Sequence, residues 1–556
     1  MTIDAIPPDV PASVKPRAGG FAALVAAGIF LTRISGFIRE KVFAHFLGNS
    51  DAAGIYRAAI RIPNVLQNLF GEGVLSASFI PVYAKLLAEN DEETAGRVAG
   101  IVASLLAVAM AILVLLGVLL TPWLLIVIAP GYKGPIRELT ITVVRIMWPG
   151  VGLLVLSAWC LGILNSHRKF FLSYVAPVFM NIVMIATLVV FGTRMNDRSL
   201  VVIAAWGTVV GAFAQFGVQI PAVIRYAKHL RFAIDMTLEP VREVIRNFTP
   251  VVVGRGVVQL SGYIDNLLAT LLGTAAVSAL SYAQIVSMLP ISLFGMSVAA
   301  AELPQMSGML GTAEEIAASM RKRLERGLRQ IAFFVVPTVV AFIAIGNVIV
   351  AALYQGGRFH DSDTLLVWYI LIGSTVGLLA ITLGRLYSSA FYALRDTKTP
   401  LRFAMLRVSL TAGLGWIFAI PLRPMLIRAM QFAGIPLPVV GAGYLSLGAI
   451  ALTATAGIAG WLEFLLLRHY LARRIGAVRI EAAYLVKLWS ASIVAGIASA
   501  ACNIDLLPRI PLPRFFPHIV TAILVCGTFG VIYFGAMIIL RVPEAKATLQ
   551  RFSRRK

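Results

Sequence analysis

FAALVAAGIFLTRISGFIREKVFAHF (21–46) and GIYRAAIRIPNVLQNLFGEGVLSASFIPVYAKLLA (54–88) decide the fold. Each run exceeds the roughly 20 residues that carry a helix across a bilayer. Yet each also carries charge in its interior. The first holds Arg33, Arg39 and Glu40, and the second Arg57, Arg61 and Glu72 with Asn64, Gln67 and Asn68 between them. Arg33 and Glu40 stand seven apart and share a helix face. Residues 57, 61, 64 and 68 follow the i, i+4, i+7, i+11 rhythm of one stripe. A polar stripe on a membrane helix needs water or a partner opposite it, because a charge at bilayer depth is costly.

Outward from this pair, twelve further apolar blocks follow at about 96–129, 137–164, 169–193, 199–227, 242–272, 275–308, 325–354, 363–393, 400–422, 439–470, 481–503 and 515–541. The chain has 556 residues, 59% hydrophobic and 13% charged, with a mean hydropathy of +0.86. Long blocks rather than short alternations exclude a β-barrel, and this composition excludes a soluble domain. The expectation is an all-α integral membrane protein of about fourteen helices.

The net charge is +22. The basic residues cluster in short loops, among them His167-Arg168-Lys169, Arg321-Lys322-Arg323 and Arg473-Arg474. With both termini inside, presumed cytoplasmic segments carry roughly 29 Lys and Arg and external ones roughly 10, the positive-inside pattern. This reads as topology and attraction to anionic lipids, with no nucleic-acid partner. Residues 311–330, acidic at the start and basic at the end, read as a cytoplasmic linker helix.

Blocks two and eight share interruptions: Pro63, Phe70-Gly71 and Ile80-Pro81 against Pro290, Phe294-Gly295 and Leu303-Pro304. This suggests two six-helix lobes around a central cavity, a plan recurrent in transporters. The expected organisation is a disordered tail (1–20), an N-lobe (21–227), a C-lobe (228–422 and 439–470), two appended helices (481–541) and a basic tail (542–556). Block seven adds Arg255, Gln259 and Asp265, and block eight Glu302. Arg145, Arg385, Arg407, Glu463 and Lys487 are further candidates, with snorkelling to an interface the alternative for several of them. Surplus arginine in a cavity suits a diphosphate, which guanidinium binds bidentately while staying charged.

Enzyme motifs are missing: there is no Walker A, HExxH or GxSxG pattern. Cys160, Cys502 and Cys526 lack metal or disulfide spacing and read as packing residues. No metal and no cofactor is expected, and nothing suggests ATP hydrolysis.

The stretches 32–40, Arg61-Ile62-Pro63-Asn64 and 70–82 resemble the MurJ/MviN family, the lipid II flippases of peptidoglycan synthesis. That family lies within the superfamily of multidrug, oligosaccharidyl-lipid and polysaccharide exporters. The likeness continues at Leu161–Asn165, Tyr282-Ala283, Leu289-Pro290, Phe294-Gly295 and Leu303-Pro304. It implies fourteen helices in two lobes, a cavity for a diphosphate-sugar headgroup and a lipid-tail groove at the last two helices. It also implies alternating access driven by sodium, protons or membrane potential, in the bacterial cytoplasmic membrane. Lipid II and membrane lipids are then the partners, with peptidoglycan synthases as candidate associates.

Family arginines match Arg33, Arg39 and Arg61, and a family glutamate matches Glu72. Departures fall at Gln67 and Ile285, where the family has arginines, at Gln284, where it has aspartate, and at Gly54, where it has an acidic residue. The substrate-binding set expected here is Arg33, Arg39, Arg57, Arg61, Asn64, Gln67 and Arg255, with Arg57 and Arg255 supplying the missing charge. Glu40, Glu72, Asp265 and Glu302 are the balancing or ion-coupling carboxylates. A flippase for another polyprenyl-diphosphate glycan, a drug exporter, a membrane enzyme and a non-transporting scaffold remain alternatives at this level.

Overall fold

The computed structural model describes residues 18–440, 443–506, 517–546 and 550, and within them leaves out the side chains of 18–24, 26, 62, 63, 253–262, 505 and 506. The expected tail at 1–20 falls largely outside the described residues, as does most of the one at 542–556.

The first helix, α1 (Ala18–Leu47), turns at Gly48 into α2 (Asp51–Phe70), which Ser50 caps by accepting from the Ala53 amide at 3.3 Å. Such a cap satisfies one of the amide groups that a helix start leaves unpaired. The second apolar block is not one helix: Gly71 takes a non-helical conformation, and α3 (Glu72–Ala88) starts afresh beyond it. Asp91 caps α4 (Glu92–Ile128). Then come α5 (Gly134–Ser166), α6 (Phe170–Phe191), the Asn196-capped α7 (Asp197–Gly217) and the short α8 (Ile220–Tyr226). An extended segment leads to α9 (Glu239–Leu271) and α10 (Thr274–Pro290). A π-helical turn at Ile291–Met296 joins α10 to α11 (Ser297–Ser307), so block eight is interrupted at Phe294-Gly295 much as block two is at Phe70-Gly71.

Residues 311–330 are no separate linker. The Thr312–Glu315 capping box opens one 42-residue helix, α12 (Ala313–Tyr354), kinked at Ile345. The propensity of that charged stretch for helix simply continues into the apolar span. After α13 (Asp361–Ala393) and α14 (Lys398–Ala419) the chain forms a ten-residue helix, α15 (Arg423–Phe432), which the hydropathy pattern does not reveal. Finally come α16 (Gly448–Ile475), α17 (Ala482–Ala501) and α18 (Pro517–Ile539).

Eleven helical segments are long and apolar enough to cross a membrane. With the α1 helix, the α2–α3 pair and α9, which are not among the eleven, the helix order is consistent with the expected count of about fourteen. These three are the passes that hold the interior charges of blocks one, two and seven.

Helices α1 to α8 pack mainly on one another, through α1 on α6 and α5 on α2, α4 and α7. A second group is built on α13, which lies against α10, α11, α12 and α16. The α17–α18 pair packs on α12 over a core that includes Phe333, Val336, Leu488 and Tyr533. The two larger groups meet where α2 lies along α10 and α3 along α9.

One end of this junction is tightly sealed. A Cβ on Gly54 would collide with the Thr274 backbone, and one on Gly131 with that of Thr270. Asp51 accepts from the Thr274 hydroxyl. The Tyr282 hydroxyl donates to the Gly48 carbonyl at 2.9 Å, and the Arg358 amide to the His45 carbonyl at 2.9 Å. Arg358 also pairs with Asp197 across the two groups.

Candidate functional site

Away from the sealed end, a cavity of about 620 Å³ opens between α1, α2, α5, α6 and α7. A second compartment of about 430 Å³ adjoins it, sharing Gln67, Glu72, Ser173 and Gln215 in its wall. Both lie within the N-terminal helix group. Of the second group only Ile285 of α10 reaches the wall among the described residues. The expected central cavity is represented, among the described residues, by these two compartments beside the α2–α10 contact.

Arg33, Arg39, Glu40, Asn64, Gln67 and Glu72 all line this space. Arg33 is exposed to it. Arg39 is held by the Asn181 Oδ1 at 3.0 Å and by the Glu40 Oε1 at 2.7 Å. Asn181 in turn donates to the Ser35 hydroxyl at 2.9 Å, so the guanidinium is fixed from both α1 and α6. Fixing a long side chain in advance removes much of the ordering cost of binding.

Arg57 stands elsewhere. It pairs with the second oxygen of Glu40, and its guanidinium lies 4.4 Å from the Phe43 ring centroid and 5.0 Å from that of Tyr282. Its side chain is only 11% exposed, and it is not on the cavity wall. Arg61 donates to the Gln284 side chain at 3.0 Å and to the Ser281 hydroxyl at 3.2 Å, tying α2 to α10. The stripe at 57, 61, 64 and 68 thus divides: its two arginines reach α10, while Asn64 and Asn68 face the two compartments. A helical period fixes a common face, not the neighbour each long side chain selects.

Gln67 and Ile285, where the resembling family carries arginines, do lie on the cavity wall. The expected substitute Arg57 is not beside them, and the Arg255 side chain lies outside the described residues. Asp265 is not on the wall either, and its Oδ1 is buried without a hydrogen bond among the described residues. Glu302 is remote from the cavity and pairs with Arg323 at 3.3 Å between α11 and α12. Arg407 and Glu463, two of the further candidates, pair with each other at 3.1 Å across α14 and α16.

Three wall residues were missed by attending to charge alone: Asn181, Thr208 and Gln215. The signal is a lone amide in an apolar run, as Asn181 is in FFLSYVAPVFMNIVMIATLVVF. Gln215 reaches the Ser157 hydroxyl at 3.2 Å, so it orders the junction of α5 and α7 as well.

At least eleven membrane-length helices in packed groups, with a cavity that holds arginines and carboxylates among apolar helices, define an all-helical polytopic membrane protein. Among solved structures the fold resembles a lipid II flippase MurJ in an inward closed conformation, with a TM-score of 0.69 and 22% identity over 93% of this chain and all of that one. It also resembles an inward-facing multidrug resistance MATE transporter of the MOP superfamily, with a TM-score of 0.59 and 18% identity over 81% of this chain and 98% of that one. The family model for lipid II flippase MurJ matches residues 43–526, and the chain belongs to that family. It is 28% identical to the probable lipid II flippase MurJ of Rhizobium meliloti over 92% of both chains. It is 30% identical to that of Rhizobium tropici over 69% of this chain and 72% of the relative. The lipid II flippase MurJ of Burkholderia cenocepacia is 28% identical over 69% of this chain and 75% of its own.

Proposed function

We propose that this protein flips lipid II, a polyprenyl-diphosphate-linked peptidoglycan precursor, from the inner to the outer leaflet of the bacterial cytoplasmic membrane. The observation that carries the reading is the pair of arginines on the cavity wall, Arg33 and Arg39, in a chain of this family. A diphosphate offers the charge and the paired oxygens that guanidinium groups bind. Asn64, Gln67 and Gln215 offer donors and acceptors suited to sugar hydroxyls.

Arg57 serves as a positioning residue. It shares Glu40 with Arg39 and so sets the carboxylate that aims the cavity guanidinium. With both termini in the cytoplasm, the sealed end faces outwards and the cavity runs towards the cytoplasmic side, where the precursor is made. Transport then requires the Asp51–Thr274 and Asp197–Arg358 contacts to part while the opposite end closes. The driving force is an ion gradient or the membrane potential rather than ATP hydrolysis, and no bound cofactor is involved. Asp265, buried near Arg61 and Arg407, is the carboxylate best placed to couple ion movement to this change.

Complementation tests the reading. Cells depleted of their own lipid II flippase should grow and expose lipid II externally when they express this chain, and should fail with Arg33→Ala or Arg39→Ala at equal protein levels. Wild-type protein that inserts but exposes no lipid II would point to another polyprenyl-diphosphate glycan or to a scaffold.

A further inference from the structure

We infer that the chain carries a separate binding site for an anionic glycerophospholipid at the end of the bundle where α1 begins. A partly open space of about 550 Å³ lies between α4, α5, α7, α8 and the extended segment that follows α8. It shares no wall residue with the cavity described above.

The segment is a fitted strap, not a loose loop. A Cβ on Gly96 would collide with the backbone of Lys228 and His229, and one on Gly100 with that of Arg231. Two glycines one helical turn apart therefore let the strap lie directly on the α4 backbone. His229 holds the left-handed backbone conformation, φ +64°, that turns the chain from α8 into the strap.

Inside, the wall is apolar and its polar groups are already satisfied. The Trp159 indole donates to the Ala99 carbonyl at 3.1 Å, and the Ser104 hydroxyl to the Gly100 carbonyl at 3.0 Å. Along α4 the space runs from Ala103 to Ala107, about 6 Å at 1.5 Å per residue. This lining suits a hydrocarbon chain.

The rim differs. Residues 225–231 read RYAKHLR; Arg231 pairs with Glu93 at 3.6 Å, which leaves Arg225 and Lys228 as the rim's surplus positive charge. Lys228 and His229 sit at the cavity edge, and among the described residues neither forms an ion pair. Ile224 and Phe232, 63% and 69% exposed, flank the opening and place it at membrane level. A basic rim over an apolar slot, in an interfacial setting, complements a lipid with a phosphate headgroup and net negative charge.

The test is native mass spectrometry of the full-length protein in a nonionic detergent, titrated with phosphatidylglycerol or with phosphatidylcholine of the same chains. The wild type should retain one phosphatidylglycerol about fivefold or more tightly than phosphatidylcholine. Ala107→Trp, which fills the slot from a lipid-exposed position, should remove that retained lipid. Lys228→Glu should abolish the preference while leaving the slot intact. Equal retention of both lipids by the wild type overturns the inference, as does a preference that survives Ala107→Trp. If Ala107→Trp does not purify folded, Lys228→Glu decides: a lost preference supports the site, and a retained one overturns it.

Discussion

Glu40 lies between two guanidinium groups, Arg39 at 2.7 Å and Arg57 behind it, and its substitution separates structure from transport. Glu40→Gln leaves Arg57 charged and largely buried, without its carboxylate. A loss of about 3–5 kcal/mol is expected for a broken buried pair, visible as a lower melting temperature in detergent. Arg33→Ala, on an exposed cavity wall, should leave that temperature nearly unchanged while ending growth support. His167 gives a second residue-level test, outside the membrane spans. Burial holds its imidazole below the ordinary value, helped by Lys169 and opposed by Glu92, and its Nε2 lies 3.0 Å from the Tyr83 hydroxyl. The folded state therefore favours the neutral ring. That stability is present above about pH 6.5 and is lost as pH falls through the lower folded value. Melting measured at pH 5 and pH 7.5 should show a larger acid loss for the wild type than for His167→Gln.

At the scale of elements, the break between α2 and α3 matters most. Gly71 has φ −86° and ψ −148°, and a Cβ there would strike the Gln67 carbonyl. Gly71→Ala should therefore disfavour the break and move Gln67 and Glu72, which line both compartments. The expected outcome is normal insertion with transport reduced about tenfold or more, read as externally accessible lipid II; full activity would show that the break is incidental. Most elements were legible because apolar blocks of sufficient length leave few alternatives. The break was foreshadowed by Phe70-Gly71, but α15 was not, since its composition is not apolar and its sequence shows no span. The site was half legible. Arg33 and Arg39 announce themselves as charges in an apolar run, whereas the destinations of Arg57 and Arg61 depend on Tyr282, Ser281 and Gln284 of a helix more than 200 residues away.

For the whole molecule, the sealed end and the cavity away from it describe one state, and the proposed transport needs a second in which that end opens. Cross-linking tests this directly. In a background lacking Cys160, Cys502 and Cys526, Asp51→Cys with Thr274→Cys, bridged by a short bifunctional thiol reagent, should stop lipid II exposure; either single substitution with the same reagent should not. Continued transport by the bridged protein would mean that this end never opens. Binding speaks most directly to the cavity arginines themselves. Purified protein should bind lipid II, and Arg33→Ala or Arg39→Ala should each weaken it about tenfold, the loss of one charged hydrogen bond of about 1.5 kcal/mol. Unchanged affinity in both variants would contradict the assignment of the cavity to the diphosphate.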